Sequence, residues 1–275
     1  MYPILFKIGP FPVYGFGLMM ALAFLAANYL FTRQTRRQKL HDDIPSTVTL
    51  IALGAGVSGS KLFHILENPS LFFRDPVGTV FSGDGLTFYG GLLMAIAGIA
   101  FYLHRKKIPF LLIADCVAPA LILAYGIGRI GCQLAGDGDY GIPSDLPWAM
   151  GYPNGTVPTL SSLNPQLAAL YQQMHPGVTV PYDIAVHPTP VYETLACFMM
   201  FGILAFLQRN VTRHKTGWLF GVYLCFAAVE RFSVEFLRLN ELYAGLSQAQ
   251  WISIGLLITG LYLINTKKSP STQVS

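Results

Sequence analysis

The sequence predicts an all-α integral membrane protein, a bundle of seven transmembrane helices, and three observations support this class. The chain of 275 residues is 53% hydrophobic and only 12% charged, whereas soluble domains carry about 25% charged residues. Seven apolar segments approach the roughly 20 residues that cross a bilayer. Lysine and arginine cluster after alternate segments, as is typical of cytoplasmic loops.

The predicted spans follow one another in the order 12–32, 46–66, 86–103, 111–128, 190–208, 217–236 and 250–265. The second and sixth contain charged residues, so their hydropathy is weaker. The residues before the first span lack a small-residue cleavage site, so we expect them to be retained.

The basic clusters orient the bundle with the N-terminus outside and the C-terminus in the cytoplasm. They are Arg33, Arg36, Arg37 and Lys39; Arg105, Lys106 and Lys107; Arg209, Arg213 and Lys215; and Lys267 and Lys268. The stretch of about 129–189 then becomes a large extracytoplasmic loop region. We expect a single transmembrane domain over 1–268 and a disordered tail over 269–275.

The sixth segment ends with charged residues at helical spacing. Arg231, Glu235 and Arg238 stand at i, i+4 and i+7, which on a helix places them on one face. They either snorkel and anchor the helix end or form a basic pocket. Two arginines suit a phosphate, which guanidinium groups bind in bidentate fashion, and in a membrane this phosphate would belong to a lipid headgroup.

Three other segments contain candidate residues with equally simple structural explanations. Glu193 follows HPTP at the start of the fifth span, where Thr189 would be the N-cap and the helix dipole favours an anion. Lys61 in the second span either snorkels or faces the interior. Tyr89 lies near the outer interface, where tyrosine is common without any function.

The motif GRIGCQLAGDGDYG at 128–141 places Arg129 where the fourth span leaves the membrane. It lacks the spacing of a dinucleotide-binding loop. It also fails as a calcium loop, because Gly141 stands where an oxygen ligand is required. A metal site built on Asp137 and Asp139 remains open. Cys132 also lies in this motif, whereas the other three cysteines are predicted to be small core residues.

These motifs, in this order, resemble the bacterial phosphatidylglycerol–prolipoprotein diacylglyceryl transferases, whose signature reads GRIGNFxNGExYG. GSKLFHIL stands where this family has GGRIGYVL, and FYGGL where it has FHGGL. HPTPVYE matches HPSQLYE, RFSVEFLR matches RIIVEFFR, and SQAQWISI matches SMGQILSI. The resemblance covers nearly the whole chain.

The resemblance implies a catalytic domain in the bacterial inner membrane with its active site towards the extracytoplasmic side. Such an enzyme transfers the diacylglyceryl group of phosphatidylglycerol to the lipobox cysteine thiol of prolipoproteins, the first step of lipoprotein maturation. Its partners would be phosphatidylglycerol and preprolipoprotein signal peptides, with no cofactor, metal or nucleic acid. The alternatives are a related transferase with another acceptor or donor, and a non-catalytic lipid binder or transporter.

By position in the family motifs, Arg129 and Arg231 would hold the phosphate and Glu235 would orient an arginine. The other residues expected to bind phosphatidylglycerol are Arg238, Lys61, Glu193 and Gly141.

The chain departs from the family pattern in its acid–base residues. Tyr89 replaces the family histidine, Cys132 replaces an asparagine, and Lys61 replaces an arginine. The signature glutamate has no direct counterpart, because the motif is one residue longer. We therefore expect Asp137, Asp139 or Tyr89 to take the missing catalytic role.

Overall fold

The structure is a computed structural model that describes residues 3–81, 87–209, 214–240 and 242–266. It is mostly helical, with two short hairpins. Arg213, Lys267, Lys268, residue 86 and the predicted tail 269–275 lie outside the described residues. The strands are β1 (Ile4–Ile8), β2 (Phe11–Tyr14), β3 (Leu242–Tyr243) and β4 (Leu246–Ser247), and β1 pairs with β2 and β3 with β4, both antiparallel.

The helices are α1 (Gly15–Arg37), α2 (Ile44–Glu67), α3 (Pro69–Arg74), α4 (Pro76–Phe81), α5 (Phe88–Arg105), α6 (Phe110–Ala135), α7 (Pro165–Met174), α8 (Thr189–Gln208), α9 (Trp218–Val234) and α10 (Gln248–Asn265). The seven predicted segments fall on α1, α2, α5, α6, α8, α9 and α10. Within the described residues, α1, α2, α6 and α8 are long and apolar enough to cross a membrane. The prediction of a mostly helical membrane protein is therefore confirmed at this level.

The chain divides into two compact units, one of residues 28–116 and one that combines residues 1–27 and 117–275. In the first unit, α2 packs closely on α5 through small residues. A side chain at Gly59 would come within 2.6 Å of the Gly90 carbonyl oxygen and 2.5 Å of Met94 Cβ. Glycine at these positions lets the two helix backbones approach each other.

In the second unit, α6, α8 and α9 share a core of buried apolar side chains. Its members include Ala118, Ile122, Cys197, Met200, Leu204 and Leu219. The final helix, α10, begins with a capping box in which the Ser247 hydroxyl accepts from the Gln250 amide at 3.2 Å and the Gln250 side chain accepts from the Ser247 amide at 2.9 Å. These two bonds satisfy backbone donors at the helix start.

Residues 136–188 lie between α6 and α8 and have a core of their own. Its buried side chains are Tyr140, Tyr152, Leu167, Ile184 and Val186. Tyr152 is also joined to the end of α6, because its hydroxyl donates to Gln133 at 2.8 Å. The segment therefore has its own packed core and is joined by a hydrogen bond to the end of α6, where the charged residues gather.

The close contact between α2 and α5 yields a first prediction. Gly59→Ala should destabilise the protein by about 1–3 kcal/mol, because the added methyl group overpacks the helix interface. Gly54→Ala, on the same helix, is the matched control, since a side chain there meets nothing within 4 Å. Thermal unfolding in detergent compares the two, and equal unfolding temperatures would contradict the packing argument.

Candidate active site

Arg129 lies near the end of α6 and is held by Tyr125, one helical turn earlier. Its Nη2 donates to the Tyr125 hydroxyl at 2.7 Å, and the guanidinium carbon lies 4.8 Å from the centre of the tyrosine ring. The i, i+4 spacing brings both side chains to one helix face. The hydrogen bond and the cation–π contact together orient the planar guanidinium group.

Glu193 on α8 is a fully buried carboxylate around which three arginines gather. Its Oε2 lies 3.0 Å from Arg129 Nε, and its Oε1 lies 3.5 Å from Arg231 Nη1 and 3.8 Å from Arg238 Nη1. The Tyr125 hydroxyl donates to Oε1 at 3.3 Å. A buried carboxylate without such partners would be very costly, so the arginines are what allow Glu193 to be buried.

Asp139 bridges two of these arginines. Its Oδ2 pairs with Nη1 of Arg129, and its Oδ1 pairs with Nη2 of Arg238. Burial alone would raise the pKa of this carboxyl, but Arg238 and Arg129 outweigh burial and lower the pKa below its usual value. The structure therefore brings Asp139, and not Asp137, into the arginine cluster.

A backbone bridge between two loops brings Asp139 to Arg238. The Gly141 amide donates to the His187 carbonyl at 2.9 Å, and Gly141 and Arg238 form an antiparallel β-bridge. A side chain on Gly141 would collide with the Leu237 carbonyl oxygen. Only glycine leaves room for this approach of two backbones.

The start of α8 differs from the sequence prediction. Pro188 occupies the N-cap position and Thr189 is the first helical residue, so Thr189 is not the cap. Its hydroxyl donates instead to the backbone carbonyl of Asp139. Glu193 is the fifth residue of the helix, and the arginines rather than a first-turn position account for its charge.

The prediction that Arg231, Glu235 and Arg238 share one helix face is also wrong. The helix α9 ends at Val234, a 3₁₀ turn follows over Glu235–Leu237, and Arg238 is extended with φ −96° and ψ 163°. Arg231 keeps its helical pair, with Nη2 at 2.7 Å from Glu235 Oε2. Arg238 leaves the helix because the bridge to Gly141 requires an extended backbone there.

Asp137 lies beside the cluster and forms no ion pair within the described part of the chain. Its Oδ1 accepts from the Asp139 amide at 3.3 Å. Burial and the charge of Asp139 raise the pKa of Asp137.

Three residues beside the cluster could hold a metal ion. Ligand atoms of Asp137, Asp139 and Cys132 lie within 4.8 Å of one another. However, Arg129 Nη1 lies 3.8 Å from the Cys132 sulfur and also pairs with Asp139. The Arg129 guanidinium group therefore approaches two of the three residues whose ligand atoms could hold a metal ion.

The same region contains the buried polar atoms that form no hydrogen bond. Among the described residues these are Arg129 Nε, Glu193 Oε2, Glu230 Oε1, Glu235 Oε2 and Arg238 Nη1. Four of the five atoms lie in ion pairs whose geometry is not that of a hydrogen bond. Glu230 Oε1 lies in no ion pair among the described residues. Unsatisfied buried groups are rare in proteins and call for a physical explanation; ion pairing accounts for four of these atoms, and a site that binds a polar ligand would account for Glu230 Oε1.

An apolar groove of about 540 Å³ runs between α8 and α9 and includes Glu193 in its wall. Glu230 also lines it. The remaining wall residues are Tyr192, Ala196, Met199, Met200, Ile203, Phe226, Val229, Ser233, Val234 and Leu237. The α8 members recur three or four residues apart, which places them on one stripe of the helix. The groove thus joins an apolar surface to the charged cluster.

Most of the predicted site residues meet in this cluster: Arg129, Asp139, Gly141, Glu193, Arg231, Glu235 and Arg238. Lys61 and Tyr89 belong to the other compact unit. There, Lys61 Nζ donates to the Thr79 carbonyl at 3.1 Å, and Tyr89 is exposed near the start of α5. Their predicted roles stay predictions.

Sequence reasoning missed three residues of this region. Tyr125 could have been predicted, because it precedes Arg129 by one helical turn and therefore lies on the same helix face. The Asn240 Nδ2 group donates to Glu235 at 2.5 Å. This contact was not predicted because it requires a turn after α9, and the helical pattern did not indicate that turn. Glu230 stands directly before Arg231 in the sequence, and adjacent helical residues point in different directions, so its place in the groove was not evident.

The apolar helices and the buried arginine–carboxylate cluster define a helical membrane protein with an ionic site in its interior. Sequence comparison identifies the family of membrane proteins to which the chain belongs. A profile of the family described as prolipoprotein diacylglyceryl transferase matches residues 3–266. The chain therefore belongs to this family.

Individual relatives are similar to the chain along nearly its full length. A phosphatidylglycerol–prolipoprotein diacylglyceryl transferase of Clostridium tetani is 28% identical, over 96% of this chain and 97% of the relative. Another of Dehalococcoides mccartyi is 30% identical, over 98% of this chain and 96% of the relative. One of Bifidobacterium adolescentis is 27% identical, over 98% and 80% respectively.

The two aspartates should respond in opposite ways to neutralisation. Asp139→Asn should lower the free energy of unfolding at pH 7 by about 1–3 kcal/mol, because it leaves two arginines without their carboxylate. Since the pKa of Asp139 is lowered, this deficit should persist down to about pH 4 and shrink only as the pH falls further. Thermal unfolding across this pH range measures it.

Asp137→Asn is the matched control. The raised pKa of Asp137 means that its ionisation opposes folding as the pH rises. The asparagine variant should therefore be at least as stable as the parent protein at pH 7. A variant of Asp137 that is less stable than that of Asp139 would contradict the assignment of Asp139 to the cluster.

Proposed function

We propose that this protein transfers the diacylglyceryl group of phosphatidylglycerol to a cysteine thiol of a prolipoprotein, the first step of lipoprotein maturation. Membership of the family supports this activity. The observation that carries the proposal is the convergence of Arg129, Arg231 and Arg238 beside an apolar groove. Such a site suits a lipid with an anionic headgroup.

The reaction requires one bond to form and one to break. The acceptor sulfur loses its proton and attacks the glyceryl carbon that carries the phosphate oxygen. As the carbon–sulfur bond forms, the carbon–oxygen bond breaks and its electron pair stays on glycerol phosphate. Negative charge therefore grows on the phosphate, and fixed cations aimed at it would stabilise the transition state.

The arginines are suited to this task because they are already oriented. Arg129 is held by Tyr125, and Arg238 is positioned by the bridge to Gly141. Arg129 Nε and Arg238 Nη1 face Glu193 at 3.0 Å and 3.8 Å without the alignment of a hydrogen bond. We assign the guanidinium groups of Arg129, Arg231 and Arg238 to the phosphate, and Asp139 and Glu235 to their positioning. Asp137 remains a candidate for proton transfer.

The groove between α8 and α9 provides the apolar half of the site. Its volume suits part of an acyl chain, since pockets for small ligands span about 300–1,000 Å³. Glu193 is shared by the groove and the cluster. A lipid could therefore place its headgroup at the arginines and a chain between the helices.

We also propose seven spans, with the N-terminus outside and the site towards the extracytoplasmic side of the bacterial inner membrane. The basic clusters after the first, third and fifth segments support this orientation. Residues 129–189 would be the extracytoplasmic insertion within one catalytic domain over 1–268. The acceptor would be the lipobox cysteine of a preprolipoprotein signal peptide.

A direct assay tests the activity. The purified protein is incubated with phosphatidylglycerol and a lipobox peptide, and mass spectrometry follows the peptide. We expect a mass gain of one diacylglyceryl group on the cysteine. An absence of adduct from folded protein, while a known transferase works in parallel, would refute the proposal.

Arg129→Lys should lower kcat/KM by about 100-fold or more, because lysine keeps the charge but loses the planar fork that contacts two carboxylates. Arg33→Lys is the control, since Arg33 is exposed in the other compact unit. The same peptide assay measures both. Retention of most of the activity by Arg129→Lys would remove this guanidinium group from phosphate binding.

A further inference from the structure

Glu230 on α9 is a carboxyl group that the proposed mechanism has not yet used. It lines the groove between α8 and α9. Its Oε1 is buried and makes no hydrogen bond within the described part of the chain. It shares the groove wall with Glu193, the carboxylate that three arginines approach, so it lies close to the site where the phosphate would bind.

Three other carboxylates of the cluster have cationic partners, whereas Asp137, which forms no ion pair among the described residues, does not line the groove. Asp139 pairs with two arginines, Glu193 is approached by three, and Glu235 lies 2.7 Å from Arg231. A carboxylate engaged in this way is a weak base, because the guanidinium group stabilises its charged form. Glu230 forms no ion pair with an arginine among the described residues, so its oxygen can accept a proton without first breaking a pair.

Resting on the proposed function, we infer that Glu230 is the general base that removes the proton from the acceptor thiol. The proton moves from sulfur to a Glu230 oxygen as the sulfur attacks the glyceryl carbon. Glycerol phosphate leaves with the electron pair of the carbon–oxygen bond, and the proton is later released to water.

Charge balance favours this arrangement. Before the step, Glu230 and the phosphodiester each carry one negative charge, and afterwards Glu230 is neutral and the phosphate monoester carries both. The total charge of the site does not change. One negative charge moves from Glu230, which forms no ion pair with a described arginine, to the phosphate, which would face Arg129, Arg231 and Arg238. The buried cluster therefore never holds an additional uncompensated charge.

The test compares two acceptor peptides that differ in one atom. One has the lipobox cysteine and the other has selenocysteine, whose selenol is ionised at neutral pH without a base. Glu230→Gln should lower kcat for the cysteine peptide by about 100-fold or more, the usual contribution of a general base. With the selenocysteine peptide the loss should be less than about tenfold.

The pH profile gives a second readout. Without a base, the rate of Glu230→Gln with cysteine should follow the thiolate fraction and rise about tenfold per pH unit below about pH 8.5. KM for phosphatidylglycerol should stay within about twofold of the parent value, because Glu230 does not hold the phosphate. Glu230→Asp should recover part of the rate. Glu67→Gln, which neutralises an exposed carboxylate of the other unit, should leave kcat unchanged.

The outcomes separate this inference from the proposed function. If the parent protein modifies neither peptide, the proposed function fails. If the parent is active and Glu230→Gln loses activity equally with both peptides, Glu230 is structural and is not a base. Unchanged activity with cysteine overturns the inference as well. Thermal unfolding of each variant shows that the losses do not come from misfolding, and Glu230→Asp provides the test if the glutamine variant does not fold.

Discussion

The site depends on the burial of one carboxylate. Glu193 has no exposed side-chain surface, and the arginines at 129, 231 and 238 all approach it. Neither the carboxylate nor the arginines would be stable in an apolar helix bundle alone, because desolvated charges are costly. Together they form a network in which each charge compensates another. Because each charged group needs the others, the network determines where the charged residues of α6, α8 and α9 lie relative to one another.

The second constraint is a backbone contact. Gly141 approaches the Leu237 carbonyl so closely that no side chain fits between them. This contact takes Arg238 out of helical geometry and places Asp139 within reach of it. A glycine in a loop thus determines the geometry of an ion pair, although it carries no charge itself. The packed core of 136–188 stabilises the loop in this position.

Hydropathy and helical periodicity predicted the helices well, because both depend on local sequence. The same local logic predicted that Arg129, Arg231 and Glu193 would belong to the site, through motifs that resemble a known family. It could not tell which of Asp137 and Asp139 pairs with the arginines, because that pairing depends on a bridge between residues about a hundred positions apart. The predicted helical position of Arg238 was wrong for the same reason, although Arg238 does belong to the cluster. Glu230 escaped notice because its role depends on a groove between two helices.

The order in which the chain is synthesised determines when each ion pair of the site can form. Asp139 and Arg238 are 99 residues apart, and Glu193 leaves the ribosome before Arg231 and Arg238 do. Of the three arginines that approach Glu193, only Arg129 is made before it. Charges within a span are unfavourable to insert, so early association of α6 with α8 would protect both groups. The network cannot be complete until Arg231, Glu235 and Arg238 have been made, so the site is completed only after most of the chain has been synthesised.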